Sequence, residues 1–149
     1  MELKSLLVDS KTTWVEFPGL DGFEVELANL SRKELVNLRK NCTNNKFNRK
    51  TRMFEESLDD EKFVKDFTHA TVKGWKGLKL KYLEDLILVD ISEQDPDHTL
   101  DYSEENAYTL VENSSEFDNW LNEVVFDLQN FRSQQSGKSP KKAKAVSGQ

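Results

Sequence analysis

Cys42, His69 and His98 are the side chains best suited to nucleophilic or metal chemistry near neutral pH, and their spacing assembles neither. They share no metal-ligand spacing, and a cysteine nucleophile needs a histidine base that no motif here supplies. Cys42 falls on the same helical face as Leu35 and Leu38, which reads as a small core residue. The acidic run from Asp90 to Asp101 invites comparison with a calcium loop. Counted from Asp95, its sixth position is Leu100, where a glycine must turn the chain. Its twelfth is Asn106, where a bidentate glutamate must close the shell. The run therefore reads as a solvated acidic loop. Carboxylate pairs for acid–base work are recognised by unequal environments and a cleft, which a sequence does not display. Gly19, Gly22, Gly74 and Gly77 lie in turns rather than in a strand-to-helix nest, so no phosphate loop is expected. The residues point to a protein that is not an enzyme and that needs no metal or cofactor.

Binding chemistry is better represented. Arg32, Lys33, Arg39, Lys40, Lys46, Arg49, Lys50 and Arg52 form a basic cluster with Phe47 inside it, which could contact phosphates and stack a base. The rest of the charge opposes that use. Residues 82–131 hold 14 carboxylates and no lysine or arginine, whereas residues 1–81 carry +3 and residues 132–149 carry +5. A block of −14 repels phosphate and anionic lipid and attracts basic polypeptide. A small nucleic-acid-binding regulator thus remains an alternative, and a protein partner or a second copy of the chain is the more economical reading. Trp75, between glycines, suits an interface as well as a core, while Trp120 sits in a continuous apolar stripe and reads first as core. The candidate partner-binding residues are Phe47, Trp75, Leu78, Phe117 and Trp120.

The elements that must position these residues follow from periodicity. Phe23, Val25 and Leu27 alternate with Glu24 and Glu26 after a Pro18–Gly22 break, the pattern of a β-hairpin with one wet face. Ser31 and Glu34 have capping-box spacing before a helix carrying Leu35, Leu38 and Cys42. Residues 43–57, rich in Asn and cations and lacking either period, are expected to be an exposed, mobile connection. Asp59 and Asp60 suit the start of a second helix with Phe63, Phe67 and Ala70 on one face, stopped by Gly74. A short helical stretch with Tyr82, Leu83 and Leu86 leads into Leu86–Val89 and Ile91, expected to be buried. Pro96 makes the acidic stretch a loop. Ser103 opens a helix with Ala107, Leu110 and Val111 inward. The final helix, capped by Ser115, carries Phe117, Trp120, Leu121, Val124, Val125, Leu128 and Phe131 along one stripe.

These elements give an α+β fold, predominantly helical, with an N-terminal β-hairpin packed on about four helices. Residues 1–131 form the domain, and the basic segment 132–149 buries too little to be ordered. A chain of 149 residues with three Trp and nine Phe has the length and apolar content for one core. No run is long and apolar enough to span a membrane, the N-terminal apolar stretch is too short for a signal peptide, and the single cysteine gives no sign of an oxidising compartment. The expected location is the cytoplasm.

The order of pieces is that of a known family. Thr13-Trp14-Val-Glu-Phe17-Pro18 and Gly22-Phe23-Glu-Val25-Glu-Leu27 come early, with Ser31-Arg32 and Glu34-Leu35 after them. Gly74-Trp75-Lys-Gly77-Leu78 stands in the middle, and Ser103-Glu-Glu-Asn106-Ala107 and Phe117-Asp118-Asn119-Trp120 come late. This layout, across most of residues 12–131, resembles the tail assembly chaperones of long-tailed, siphovirus-type bacteriophages. The resemblance implies a non-enzymatic role: coating the helical, aggregation-prone tape-measure protein and keeping it soluble while tail-tube subunits polymerise around it. It also implies residence in the cytoplasm of the infected host and absence from the mature virion. Members are often made in a second, longer form through a ribosomal frameshift, which would bring in the tail-tube protein. Pro140-Lys141-Lys142 could be encoded by a slippery run, and the flexible basic tail would serve as the linker. A structural minor tail or head-tail connector protein is the alternative within the same setting, and a homo-oligomer is compatible with either.

Overall fold

The computed structural model describes residues 1–8 and 11–132, and the segment 133–149, with the frameshift site expected at Pro140–Lys142, lies outside the described residues. A 3-10 turn at Leu3–Leu6 precedes β1 (Thr12–Glu16), β2 (Glu24–Ala28) and α1 (Arg32–Asn41). Next come β3 (Thr43–Asn48), β4 (Met53–Leu58), α2 (Asp60–Thr71), β5 (Val72–Lys76) and α3 (Leu80–Leu86). The chain continues through α4 (Glu104–Asn113), α5 (Ser115–Val125) and α6 (Gln129–Arg132). The fold is α+β and mostly helical, as its periodicity predicts. No described helix is long and apolar enough to cross a membrane.

The N-terminal hairpin forms in the expected register, Val15 opposite Val25 and Thr13 opposite Leu27. Phe23, Val25 and Leu27 point into the core, leaving Glu24 and Glu26 on the wetter face. The hairpin does not stand alone: β5 pairs antiparallel with β2 and completes a three-stranded sheet in the order β1-β2-β5. Gly74 therefore lies inside a strand and does not stop α2, which ends at Thr71 when the chain turns extended at Val72. The ladder slips between Glu26 and Leu27, leaving Lys73 without a partner in register. That bulge breaks the period-two signal of β5.

Residues 43–58 depart furthest from expectation. Instead of an irregular connection they form a second, separate hairpin, β3 with β4, in which Phe47 faces Phe54 and Lys46 faces Glu55. Nearly every residue in it is exposed. The last helix also differs. Ser114 rather than Ser115 caps α5, and the helix stops at Val125. Asn130 Nδ2 and the Asp127 N–H both donate to the Val124 carbonyl, and Asp127 Oδ1 accepts from the Gln129 N–H, so the chain restarts as α6. Leu128 is consequently exposed although Phe131 is buried. Leu88, expected inside, projects into solvent beyond the end of α3.

A line of aromatic rings holds the sheet to the helices. Phe17 stacks on Phe117 at 5.9 Å between centroids, Phe117 on Phe23 at 6.4 Å, and Phe23 meets Trp75 edge-on at 6.4 Å. Trp120 closes one end against Phe17 and Tyr102 the other against Trp75. Burying each such ring contributes roughly 1.5–3 kcal/mol. The turn between β1 and β2 is fixed from outside by the Tyr82 hydroxyl, which donates to the Asp21 carbonyl at 2.6 Å. Beside it Gly77, at φ +75°, packs against the Gly22 backbone where any Cβ would overlap the Gly22 carbonyl. Gly77→Ala should therefore cost about 3 kcal/mol or more, from strain and displaced packing together, read as a lower urea midpoint with an unchanged slope.

Candidate protein-binding surfaces

The five residues nominated from sequence separate into core and surface. Trp75 is buried and its Nε1 donates to the Leu100 carbonyl at 2.9 Å. Leu78 and Phe117 are wholly buried, and Trp120 is half-buried with its edge on Phe17. As partner contacts, Trp75, Leu78 and Phe117 are thus corrected: they belong to the core, and a partner would reach them only by opening the domain. Trp75 reads as an interface residue in sequence because its flanking glycines mimic a turn. Phe47 is the exception, with 52% of its surface exposed.

The groups with reactive chemistry do not converge. Cys42 is buried, its thiol donates to Asp66 Oδ2 at 3.5 Å, and Lys62 Nζ lies 2.9 Å from the same carboxylate oxygen. Burial, followed by the bond to Asp66, pushes the thiol pKa up, which disfavours the nucleophilic thiolate. His69 Nδ1 approaches Glu104 Oε2 at 2.9 Å on the surface. Among the described residues no three His, Cys, Asp or Glu side chains gather as a metal site.

Three surface features remain. The first is a groove of about 610 Å³ where the N-terminal segment crosses the start of α1 and the restart at α6. Leu7, Val8 and Leu128 give it exposed apolar walls, and Lys11, Arg32 and Arg132 give it cationic edges. Leu3 and Leu6, four residues and one residue before Leu7, are 74% and 58% exposed. The whole 3-10 turn buries nothing. A contiguous apolar stretch of this kind is informative where a single exposed leucine is not.

The second feature is the β3–β4 arm. Its strands touch each other and little else. Phe47 and Phe54 meet edge-on at 5.3 Å on one face, while Lys46, Asn48, Met53 and Glu55 share the other, where Asn48 Nδ2 donates to Glu55 Oε1 at 2.7 Å. Asn48 also organises the tip, its Oδ1 accepting from the N–H groups of Lys50 and Thr51. Arg52 closes the turn in the left-handed region, at φ 58°. The root is held by the Asp59 N–H, which donates to the Cys42 carbonyl at 2.8 Å, and by the Asp59 side chain, which caps α2.

The third is an acidic groove of about 380 Å³ between α2, α4 and α5, lined by Asp60, Glu61, Glu112 and Asp118 around Val64, Tyr108 and Val111. The Tyr108 hydroxyl donates to Glu112 Oε2 at 2.9 Å, and that bond raises the phenol pKa. Desolvation raises the pKa of Asp118, against the opposing bond from Asn122. No family model matches the chain, and neither the curated proteins nor the solved structures contain a match.

Because its folded pKa lies above its ordinary value, Asp118 binds its proton more readily in the native state than in the unfolded one, so its ionisation opposes folding. Stability linked to this group is present at low pH and is lost as pH rises through the folded pKa. Asp118→Asn should accordingly be more stable than the parent at pH 7, with the advantage shrinking as pH falls through the carboxylate range, measured by urea unfolding across pH.

Proposed function

We propose that this protein is a non-enzymatic chaperone that holds an amphipathic helical client in the N-terminal groove, and that the client is a phage tape-measure protein. The observation that carries the reading is the groove itself: an apolar trough walled by Leu7, Val8 and Leu128 and edged by Lys11, Arg32 and Arg132, with Leu3 and Leu6 exposed just before it in the chain. Helix-in-groove recognition needs a trough of this kind to take an apolar stripe, with charges beside it to set the register. The cationic edges favour a client stripe flanked by carboxylates. Away from the groove the first turns of α4 and α5 carry carboxylates, an anionic face that repels phosphate and anionic lipid.

The identity of the client rests on the resemblance of layout to the tail assembly chaperones. In that role the protein works in the cytoplasm of the infected bacterium, recruits tail-tube subunits through a longer frameshifted form and leaves before the virion is complete. Binding energy, not bond chemistry, is all the role requires.

Coexpression with the polypeptide encoded immediately downstream tests the reading. That polypeptide should become soluble and copurify, and Leu7→Asp with Leu128→Asp should abolish both effects. The two replaced residues are exposed, so the variant should stay within about 0.5 kcal/mol of parental stability. A client that stays insoluble, or that copurifies equally well with the double variant, would overturn the assignment.

A further inference from the structure

We propose that the tip of the β3–β4 arm of one molecule seats in the acidic groove of a second copy, so that the protein self-associates through an arm-in-groove contact separate from the N-terminal groove. The arm is a poor structural investment if it serves only its own molecule. A two-stranded ribbon with both faces wet is marginally stable, and this one leaves Phe47, Met53 and Phe54 between 52% and 74% exposed. Its tip concentrates Arg49, Lys50 and Arg52, all exposed, and none of them forms an ion pair with another described residue. An anionic surface is the electrostatic complement of such a tip.

The groove between α2, α4 and α5 has the complementary chemistry. Asp60, Glu61, Glu112 and Asp118 supply four carboxylates, with no lysine or arginine in the lining, and none is ion-paired within the described residues. Val64, Val111 and the Tyr108 ring supply apolar surface on which the stem of an arginine or lysine can lie while its head reaches the carboxylates. A cation arriving beside Asp118 favours its ionised form and so offsets the cost of its desolvation.

The receptor cannot be the arm's own molecule. Asp60 and Glu61 follow β4 almost directly, so the groove begins beside the arm's root. Six residues of strand carry the tip roughly 20 Å away from that root. A paired ribbon does not double back over its own base, whereas a second copy offers its groove at any distance. The arm and this groove belong to the same molecule, so the contact either closes by reciprocal exchange or continues head to tail. Nucleic acid is the less favoured occupant, because a phosphate chain long enough to run past the tip meets the block of 14 carboxylates in residues 82–131.

Sedimentation of the full chain at low and high salt tests this. The parent should sediment above monomer mass at low salt and shift towards monomer as salt screens the contact. Reversing the tip with Arg49→Glu, Lys50→Glu and Arg52→Glu should leave a folded monomer, and so should reversing the groove with Glu61→Lys and Glu112→Lys. Mixed in equal amounts, the two monomeric variants should associate, because each supplies what the other has lost. A parent that is monomeric at every concentration and salt, or variants that stay apart when mixed while the parent associates, would overturn the proposal. So would a tip reversal that leaves self-association intact and removes only the retention of a DNA or RNA oligonucleotide. Client solubilisation by the N-terminal groove is read separately, in coexpression, and survives or fails independently of these outcomes.

Discussion

The stacking of Phe17, Phe23 and Phe117 is the contact on which the rest of this structure depends. Phe17 and Phe23 come from either end of the β1–β2 turn and Phe117 from the first turn of α5, so three rings join the first hairpin in the chain to a helix about a hundred residues later. Each ring buries a large apolar area, and ring pairs at these separations add about 0.5–1.5 kcal/mol beyond burial. Trp75 extends the line, and its Nε1–H finds the Leu100 carbonyl, so the acidic loop before α4 is tied to the sheet by an aromatic residue. Tyr102 repeats the device one step further, with its ring edge-on to Trp75 and its hydroxyl donating to the Val72 carbonyl.

That core lets the chain carry its lopsided charge. The carboxylates of the acidic block would repel one another if merely spread over a surface, yet several occupy the first turns of helices. Glu104 and Glu105 open α4 and Glu116 opens α5, just as Asp60 and Glu61, outside that block, open α2. Unsatisfied N–H groups and the positive end of the helix dipole favour a carboxylate there by about 0.3–1 kcal/mol each. Side-chain caps from Asp59, Ser103 and Ser114 fix the same three helix starts. Local helix chemistry thus offsets part of the self-repulsion that a one-signed face creates.

Where one side of an element is buried, its periodicity was legible. The β1–β2 hairpin, the capping box at Ser31 and Glu34, and the inward faces of α2, α4 and α5 are all visible as apolar spacing plus a capping residue. The errors have physical causes of their own. β3 and β4 were hidden because a strand wet on both faces has no apolar alternation to display, and asparagine-rich sequence disfavours the strand it forms here. β5 was hidden by the bulge at Lys73 and by a glycine that looks like a helix stop. The break before α6 was hidden because apolar spacing continues through Leu128 even after Asp127 and Asn130 have turned the backbone away from helix.

The candidate surfaces were less legible than the fold, and for a related reason. Sequence reasoning ranks large aromatics as binding anchors, but the same rings are the cheapest way to fill a core, and here Trp75 and Phe117 are used for that. What distinguishes a binding residue is that its apolar surface stays uncovered after the core is complete, a property of the whole packing rather than of any window of sequence. Leu3, Leu6 and Leu7 are ordinary helix-spaced leucines until the fold leaves them nothing to pack on. Phe47 kept its place among the surface residues for the complementary reason: the hairpin that carries it stands off the core, so its one aromatic neighbour, Phe54, is as exposed as it is. Because neither the groove nor the arm contributes to the aromatic line at the centre, either surface can change its partner chemistry with little consequence for folding, which is the arrangement a binding protein needs.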